Sequence, residues 1–285
     1  MRWKGRQTSS NIEDRRGSGR MGGMGGRAGI GGLGLVAVVL IGMFFGVDVT
    51  PFLSGGGGVP TSRAPSGPNS IDDPAEEFVG VVLADTEQVW GQAFRDSGMT
   101  YRNPVLVLYS GVTDSACGSA SAAVGPFYCP NDQKIFLDTD FFRIMEQQLG
   151  SRGDFAKAYV VAHEVAHHVQ NSLGTLQKVN ALRARGSQAD SNALSVRIEL
   201  QADCYAGVWA RAEQDRFGVL ERGDIEEALD TAARIGDDAL QKAQRGIVVP
   251  DSFTHGTSEQ RQKWFYTGYQ NGDPNACDTF GASSL

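Results

Sequence analysis

Between Asp154 and Gly174 the chain reads DFAKAYVVAHEVAHHVQNSLG. Asp154 is a good N-cap and Gly174 a good left-handed stop, so a helix of about 19 residues fits between them. Tyr159, Val160, Ala162, Val165, Ala166 and Val169 make that helix apolar around most of its girth. It must therefore run through the interior of its domain, with other elements packed on several sides. Its centre nevertheless carries His163, Glu164, His167 and His168. Buried polar groups without partners are costly, so something has to satisfy these four.

A metal ion does so. His163 and His167 are four residues apart and stack on one helix face, where two imidazoles can bind one ion. Glu164 is turned about 100° from His163, so it can flank the ion without ligating it. This is the HExxH arrangement: two ligands and a carboxylate placed to take a proton from activated water. Zn2+ suits these donors, and a catalytic zinc needs a third protein ligand from elsewhere. The metzincin continuation HExxHxxGxxH is excluded, because Gln170 stands where its glycine would be and Leu173 where its last histidine would be. His168 lies about 140° round the helix from His163 and cannot converge on the same ion.

The rest of the chain divides by composition. Residues 28–47 carry no charge over about 30 Å of helix, enough to cross a hydrocarbon core. The lead-in is long and no small-x-small cleavage site follows, so an uncleaved anchor is expected rather than a signal peptide. Residues 1–27 hold Arg2, Lys4, Arg6, Arg15, Arg16, Arg20 and Arg27 against Glu13 and Asp14, a balance of +5. By the positive-inside rule that basic tail lies in the cytoplasm. The expectation is a single-pass protein of the inner membrane, in contact with the lipid bilayer, with its main domain on the outer or periplasmic side. The Gly/Pro/Ser-rich stretch 48–73 reads as a linker.

Residues 74–285 read as one α+β domain. Pro74 opens a helix to about Asp96 that buries Phe78, Val81, Val82, Val89 and Phe94; Val105–Tyr109 and Lys134–Leu137 read as strands. With the chain at −7 and the tail at +5, the remainder carries −12, which leaves no basic face for nucleic acid. Gly29 to Gly34 spells GxGxxG, but a Gly/Arg-rich tail precedes it where a dinucleotide site needs a strand. Gly42 and Gly46 form an incidental GxxxG. The four cysteines, Cys117, Cys129, Cys204 and Cys277, all lie beyond the apolar stretch, on the side expected to be oxidising. Of three pairings we favour Cys117 with Cys129, which closes a short loop, and Cys204 with Cys277, which ties the tail to a helix.

The MRWKGR start, the EDRRG at Glu13 to Gly17, the Gly-rich stretch, HEVAHHVQ and ELQADCYAGVWA together resemble the bacterial family of neutral zinc metallopeptidases. The likeness runs nearly end to end, and the site is similar to that of gluzincins. It implies a zincin-like fold, mostly helical, with a small mixed sheet above the active-site helix. It also implies hydrolysis of a peptide or protein substrate, with Glu164 as general base. Glu199, 32 residues after His167, would be the third ligand. Asp203, one helical turn on, would orient a ligating histidine. The segment Thr254-His255-Gly256…Arg261 resembles the Thr-His-Pro…Arg segment of some membrane gluzincins, with Gly256 in place of the proline. It implies that His255 donates to the oxyanion of the transition state; the alternative is a histidine that merely caps the following helix. A tethered scaffold with structural zinc is the competing reading, and Glu164 argues against it, since a structural site needs no base. The oligomeric state is left open.

Overall fold

The computed structural model describes residues 1–16, 73–121 and 125–285. Strands β1 (Ile12–Asp14), β2 (Val105–Tyr109), β3 (Val112–Ser115), β4 (Gly118–Ser121), β5 (Phe127–Cys129) and β6 (Lys134–Asp138) make a four-stranded sheet and a hairpin. The sheet runs β1–β2–β6–β5, and β3 pairs with β4. β1, β2 and β6 are parallel, and β5 is antiparallel to β6. The helices are α1 (Pro74–Asp96), α2 (Asp140–Ile144), α3 (Asp154–Ser172), α4 (Thr175–Arg183), α5 (Gln188–Phe217), α6 (Asp224–Arg234), α7 (Asp237–Arg245) and α8 (Ser258–Asn271). The architecture is a mostly helical α+β fold with a small mixed sheet.

β2 and β6 read as unbroken apolar runs because both faces of the sheet are covered. Leu106, Leu108, Ile135 and Leu137 join the main core, while Val107, Tyr109, Phe136 and Cys129 form a smaller cluster opposite. α1 starts where Asp73 accepts hydrogen bonds from the backbone of Ala75 and Glu76, and Phe78, Val81, Val82, Val89 and Phe94 are all buried. α3 packs against the β5–β6 side of the sheet and against α1, α5 and α6. Its N-cap is Gly153, not Asp154. The Asp154 carboxylate accepts from the Trp3 indole instead (2.8 Å), and Glu227 of α6 receives the Phe155 N–H (3.1 Å). Gly174, at φ 75°, ends α3 and starts α4. Cys117 is joined to Cys129, and Cys204 to Cys277.

The membrane topology expected from the sequence does not hold. Residues 1–16 are not a separate cytoplasmic tail: β1 pairs with β2, and Met1, Trp3 and Ile12 are buried in the same core as α3. A single crossing would put residues 1–16 and the body of the protein on opposite sides of a bilayer. Two of the basic residues that suggested a cytoplasmic flank pair with acids of the folded body. Arg6 pairs with Asp85 (2.6 Å) and Glu213 (3.3 Å), and Arg16 with Asp14, Asp73 and Glu76. Among the described residues no helix is long and apolar enough to cross a membrane. The stretch 28–47 and the linker lie outside the described residues, as do Gly29–Gly34 and the GxxxG. Neither the anchor, nor the inner-membrane location, nor the contact with lipid is carried further.

Candidate metal centre

Three of the predicted residues meet where α3 passes α5. A four-residue spacing puts His163 and His167 on the face of α3 turned toward α5, and Glu199 faces them from α5. His163 Nε2 lies 3.1 Å from Glu199 Oε2, and His167 Nε2 lies 3.6 Å from Glu199 Oε1. One donor atom from each residue falls within 4.8 Å of the other two. Ligand atoms at tetrahedral positions about 2.0–2.1 Å from one zinc lie about 3.3 Å apart. The donor set suits that ion, and the two distances from Glu199 to the histidines are close to what it requires.

Each imidazole is aimed by a different partner through its other nitrogen. His163 Nδ1 donates to Asp203 Oδ1 (2.8 Å), leaving Nε2 to face Glu199. Asp203 has no solvent exposure, and both its oxygens accept hydrogen bonds. Arg261 of α8 donates Nε to Oδ2 (2.8 Å) and Nη2 to Oδ1 (2.9 Å), and the Tyr159 hydroxyl donates to Oδ1 (2.5 Å). Burial opposes the charge on Asp203, but Arg261 and His163 outweigh it and hold its pKa down at about 2. Burial likewise opposes the charge on His163, yet Asp203 and Glu199 raise its pKa to about 10. Burial disfavours the Glu199 carboxylate, and the His167 and His255 charges overcome it, leaving that group well below its usual range.

His167 is held by a neutral group. Its Nδ1 donates to Gln170 Oε1 (2.9 Å), and Gln170 Nε2 donates to the backbone of Ile198 (2.8 Å) and to Gln201 Oε1 (3.1 Å). Gln170 thus ties one imidazole to the turn of α5 that carries Glu199. In the sequence Gln170 serves only to exclude metzincins, Arg261 only closes the segment that resembles gluzincins, and Tyr159 counts only as an apolar residue of its helix. A fully buried glutamine three residues after a candidate ligand was the readable signal for the first. Nothing local marks the other two. His168 is kept from the centre, as expected: its ring bonds the Tyr128 hydroxyl (3.0 Å) and the Arg102 carbonyl (2.7 Å).

Glu164 is 8% exposed, beside His163 on α3. Burial raises its carboxyl, and the charges of His167 and His163 pull it back in part. His255 comes to the same region from the loop before α8. It lines, with Glu199, a cavity of about 310 Å³. The loop is pinned by the buried Asp237, whose Oδ2 accepts the backbone N–H groups of Thr254 (2.7 Å), His255 (2.7 Å) and Gly256 (3.1 Å). That explains the departure from proline at 256. Gly256 sits at φ 93° and uses its N–H, and proline can do neither.

The family model for the "Putative neutral zinc metallopeptidase" matches residues 1–280. The chain belongs to this family. Membership makes zinc the cofactor and a peptide or protein the class of substrate. The uncharacterized protein YpfJ of Escherichia coli (strain K12) is 51% identical over 292 aligned positions, covering 99% of this chain and all of that protein. The uncharacterized proteins Rv2575 of Mycobacterium tuberculosis and Mb2605 of Mycobacterium bovis are each 49% identical over 195 positions, 65% of either chain. No solved structure matches. The family match includes residues 1–16, the segment that the fold builds into its core.

Proposed function

We propose that this protein hydrolyses peptide bonds at a zinc held by His163, His167 and Glu199, with Glu164 as the general base. The observation that carries the reading is the convergence of those three donor groups, His163 Nε2 and Glu199 Oε2 being 3.1 Å apart. Bound there, zinc supplies a Lewis acid that polarises the scissile carbonyl and makes water acidic enough to ionise near neutral pH. The chain's own residues do the rest. Asp203 and Gln170 hold the two imidazoles by their Nδ1 atoms, so the Nε2 lone pairs stay aimed at one point. Glu164 accepts the proton of the attacking water and passes it to the leaving amine. His255, on the pinned loop, donates to the oxygen that becomes negative in the transition state.

Glu164→Gln separates chemistry from binding. Purified protein should still take up one zinc per chain, read by elemental analysis, while peptide turnover falls by about 10²- to 10⁴-fold. Undiminished turnover in that variant would assign the base elsewhere. His255→Ala should lower turnover by about 10²-fold, with zinc content and melting temperature unchanged. A variant that melts early but turns over normally would make His255 a structural residue.

A further inference from the structure

The cavity beside Glu199 has a chemistry of its own. Its wall on the α4–α5 side is built by Arg183, Ser191, Asn192 and Ser195, and His255 closes it from the opposite loop. Among the described residues none of its lining side chains is a large apolar one. That sets it apart from the usual ligand pocket, which is mostly apolar with a few placed polar groups. An apolar side chain of a substrate would gain little here.

Arg183 is the cation of this wall, and it is held in place. It is the last residue of α4, with Nη2 donating to Ser195 Oγ (2.6 Å) and Nη1 to Asn180 Oδ1 (3.2 Å). Ser195 is itself fixed, since its hydroxyl donates to the Ser191 carbonyl (2.9 Å). These two bonds use two of the five N–H donors of a guanidinium. The Arg183 Nε is buried without a hydrogen-bond partner. Nη1 and Nη2 each keep one further N–H that an incoming acceptor can take. The long-range field does not recruit acids, since the chain as a whole carries −7, so any preference for them must arise from a local contact such as this one.

We propose that Arg183, supported by Ser195, forms a substrate subsite for a carboxylate next to the scissile bond. The inference rests on the peptidase reading and adds to it the kind of substrate residue recognised. A planar guanidinium with unused N–H groups matches a carboxylate in shape as well as charge. The shared chemistry has two sources: an acidic side chain, or the free carboxylate at a peptide's C-terminus.

The test is positional. The zinc-loaded full chain is given a mixed peptide library, and the cleavage sites are read by mass spectrometry. The same library with amidated C-termini forms the second arm. We expect a carboxylate to be enriched at one fixed position from the cleaved bond. Enrichment that survives amidation assigns an acidic side chain, and enrichment that vanishes assigns the terminal carboxylate. Arg183→Met should reduce the preference about 10- to 100-fold, the usual worth of a charged hydrogen bond, while cleavage of non-acidic peptides continues. Arg183→Lys keeps the charge without the fork and should retain part of the preference; it also decides the matter if the methionine variant does not fold. Cleavage without acidic preference, or a preference unchanged in both variants, overturns the subsite and leaves the peptidase reading standing. A zinc-loaded parent that cleaves no peptide overturns the peptidase reading, and the subsite falls with it.

Discussion

His163 and His167 are aimed by chemically unlike partners, and that asymmetry has measurable consequences. The first donates to a buried carboxylate that is itself clamped by Arg261, the second to the amide of Gln170. Removing Asp203 takes away the carboxylate and leaves Arg261 as an uncompensated buried cation, a change costing several kcal/mol. Asp203→Ala should therefore weaken zinc by at least about 10- to 100-fold and lower the melting temperature as well. Gln170→Leu removes a neutral acceptor and the two bonds that Gln170 donates to Ile198 and Gln201, so zinc should weaken within the same range with a smaller loss of stability. Gln170→Glu restores an acceptor for Nδ1 and should recover most of the affinity, measured by competition with a chromophoric chelator. If leucine and glutamate bind zinc equally well, Gln170 has no part in aiming His167.

At the scale of elements, α5 and α8 are what bring Glu199, Asp203 and Arg261 into one site, and two glycines let them touch. A Cβ on Gly207 would stand 2.0 Å from the Phe265 carbonyl oxygen, and one on Gly268 would stand 1.9 Å from that of Cys204. Neither obstacle is a flexible side chain, so the helices must part to admit a methyl group. Gly207→Ala should cost about 3 kcal/mol or more, beyond the usual overpacking range because backbone has to move. It should also weaken zinc, since parting the helices draws Arg261 away from Asp203. Gly91→Ala on α1 is the control. There a Cβ meets only the Arg95 side chain at 3.4 Å, and the higher helix propensity of alanine should add up to about 1 kcal/mol. Equal melting temperatures for the two variants would refute the close crossing. Of these elements, the sequence displayed α1, α3, β2 and β6 plainly, because each is a long periodic run or a continuous apolar one. The two histidines share a face by spacing alone. The α5–α8 crossing was not legible, since a helical glycine is marked by what it approaches and its partner lies some 60 residues away (Gly207 and Gly268). The bonds of Arg261 and Tyr159 to Asp203 were hidden for the same reason.

For the molecule as a whole, the misleading part of the sequence was the basic N-terminus. Positive charge before an apolar stretch looks the same whether it flanks a bilayer or pairs with acids of a folded body. β1 spans three residues, Ile12–Asp14, too short to show an alternation of its own. The pairing of Arg6 with Asp85 and Glu213 also makes the docked segment sensitive to pH. Both carboxyls are buried, which raises them, and Arg6 only partly offsets that. A carboxyl raised by folding binds more protons in the folded than in the unfolded state. Stability is then greatest below the unfolded carboxylate range, near pH ~4, and is lost as pH climbs through the folded value. Glu213→Gln removes one of the two acids. Its melting temperature relative to the parent should thus rise between about pH 5 and pH 8. A difference that stays flat or shrinks over that interval would show that the pair holds no extra proton.

The Arg16 cluster carries one more consequence. Arg16 grips Asp14, Asp73 and Glu76, so the chain departs after residue 16 and returns at residue 73 through a single doorway. The two ends of that passage are thus held side by side by Arg16. The entropy of closing such a loop grows only with the logarithm of its length, about 0.6 kcal/mol for each doubling. A change in the length of that passage should therefore cost the fold little, so long as Arg16 keeps its hold on Asp73 and Glu76.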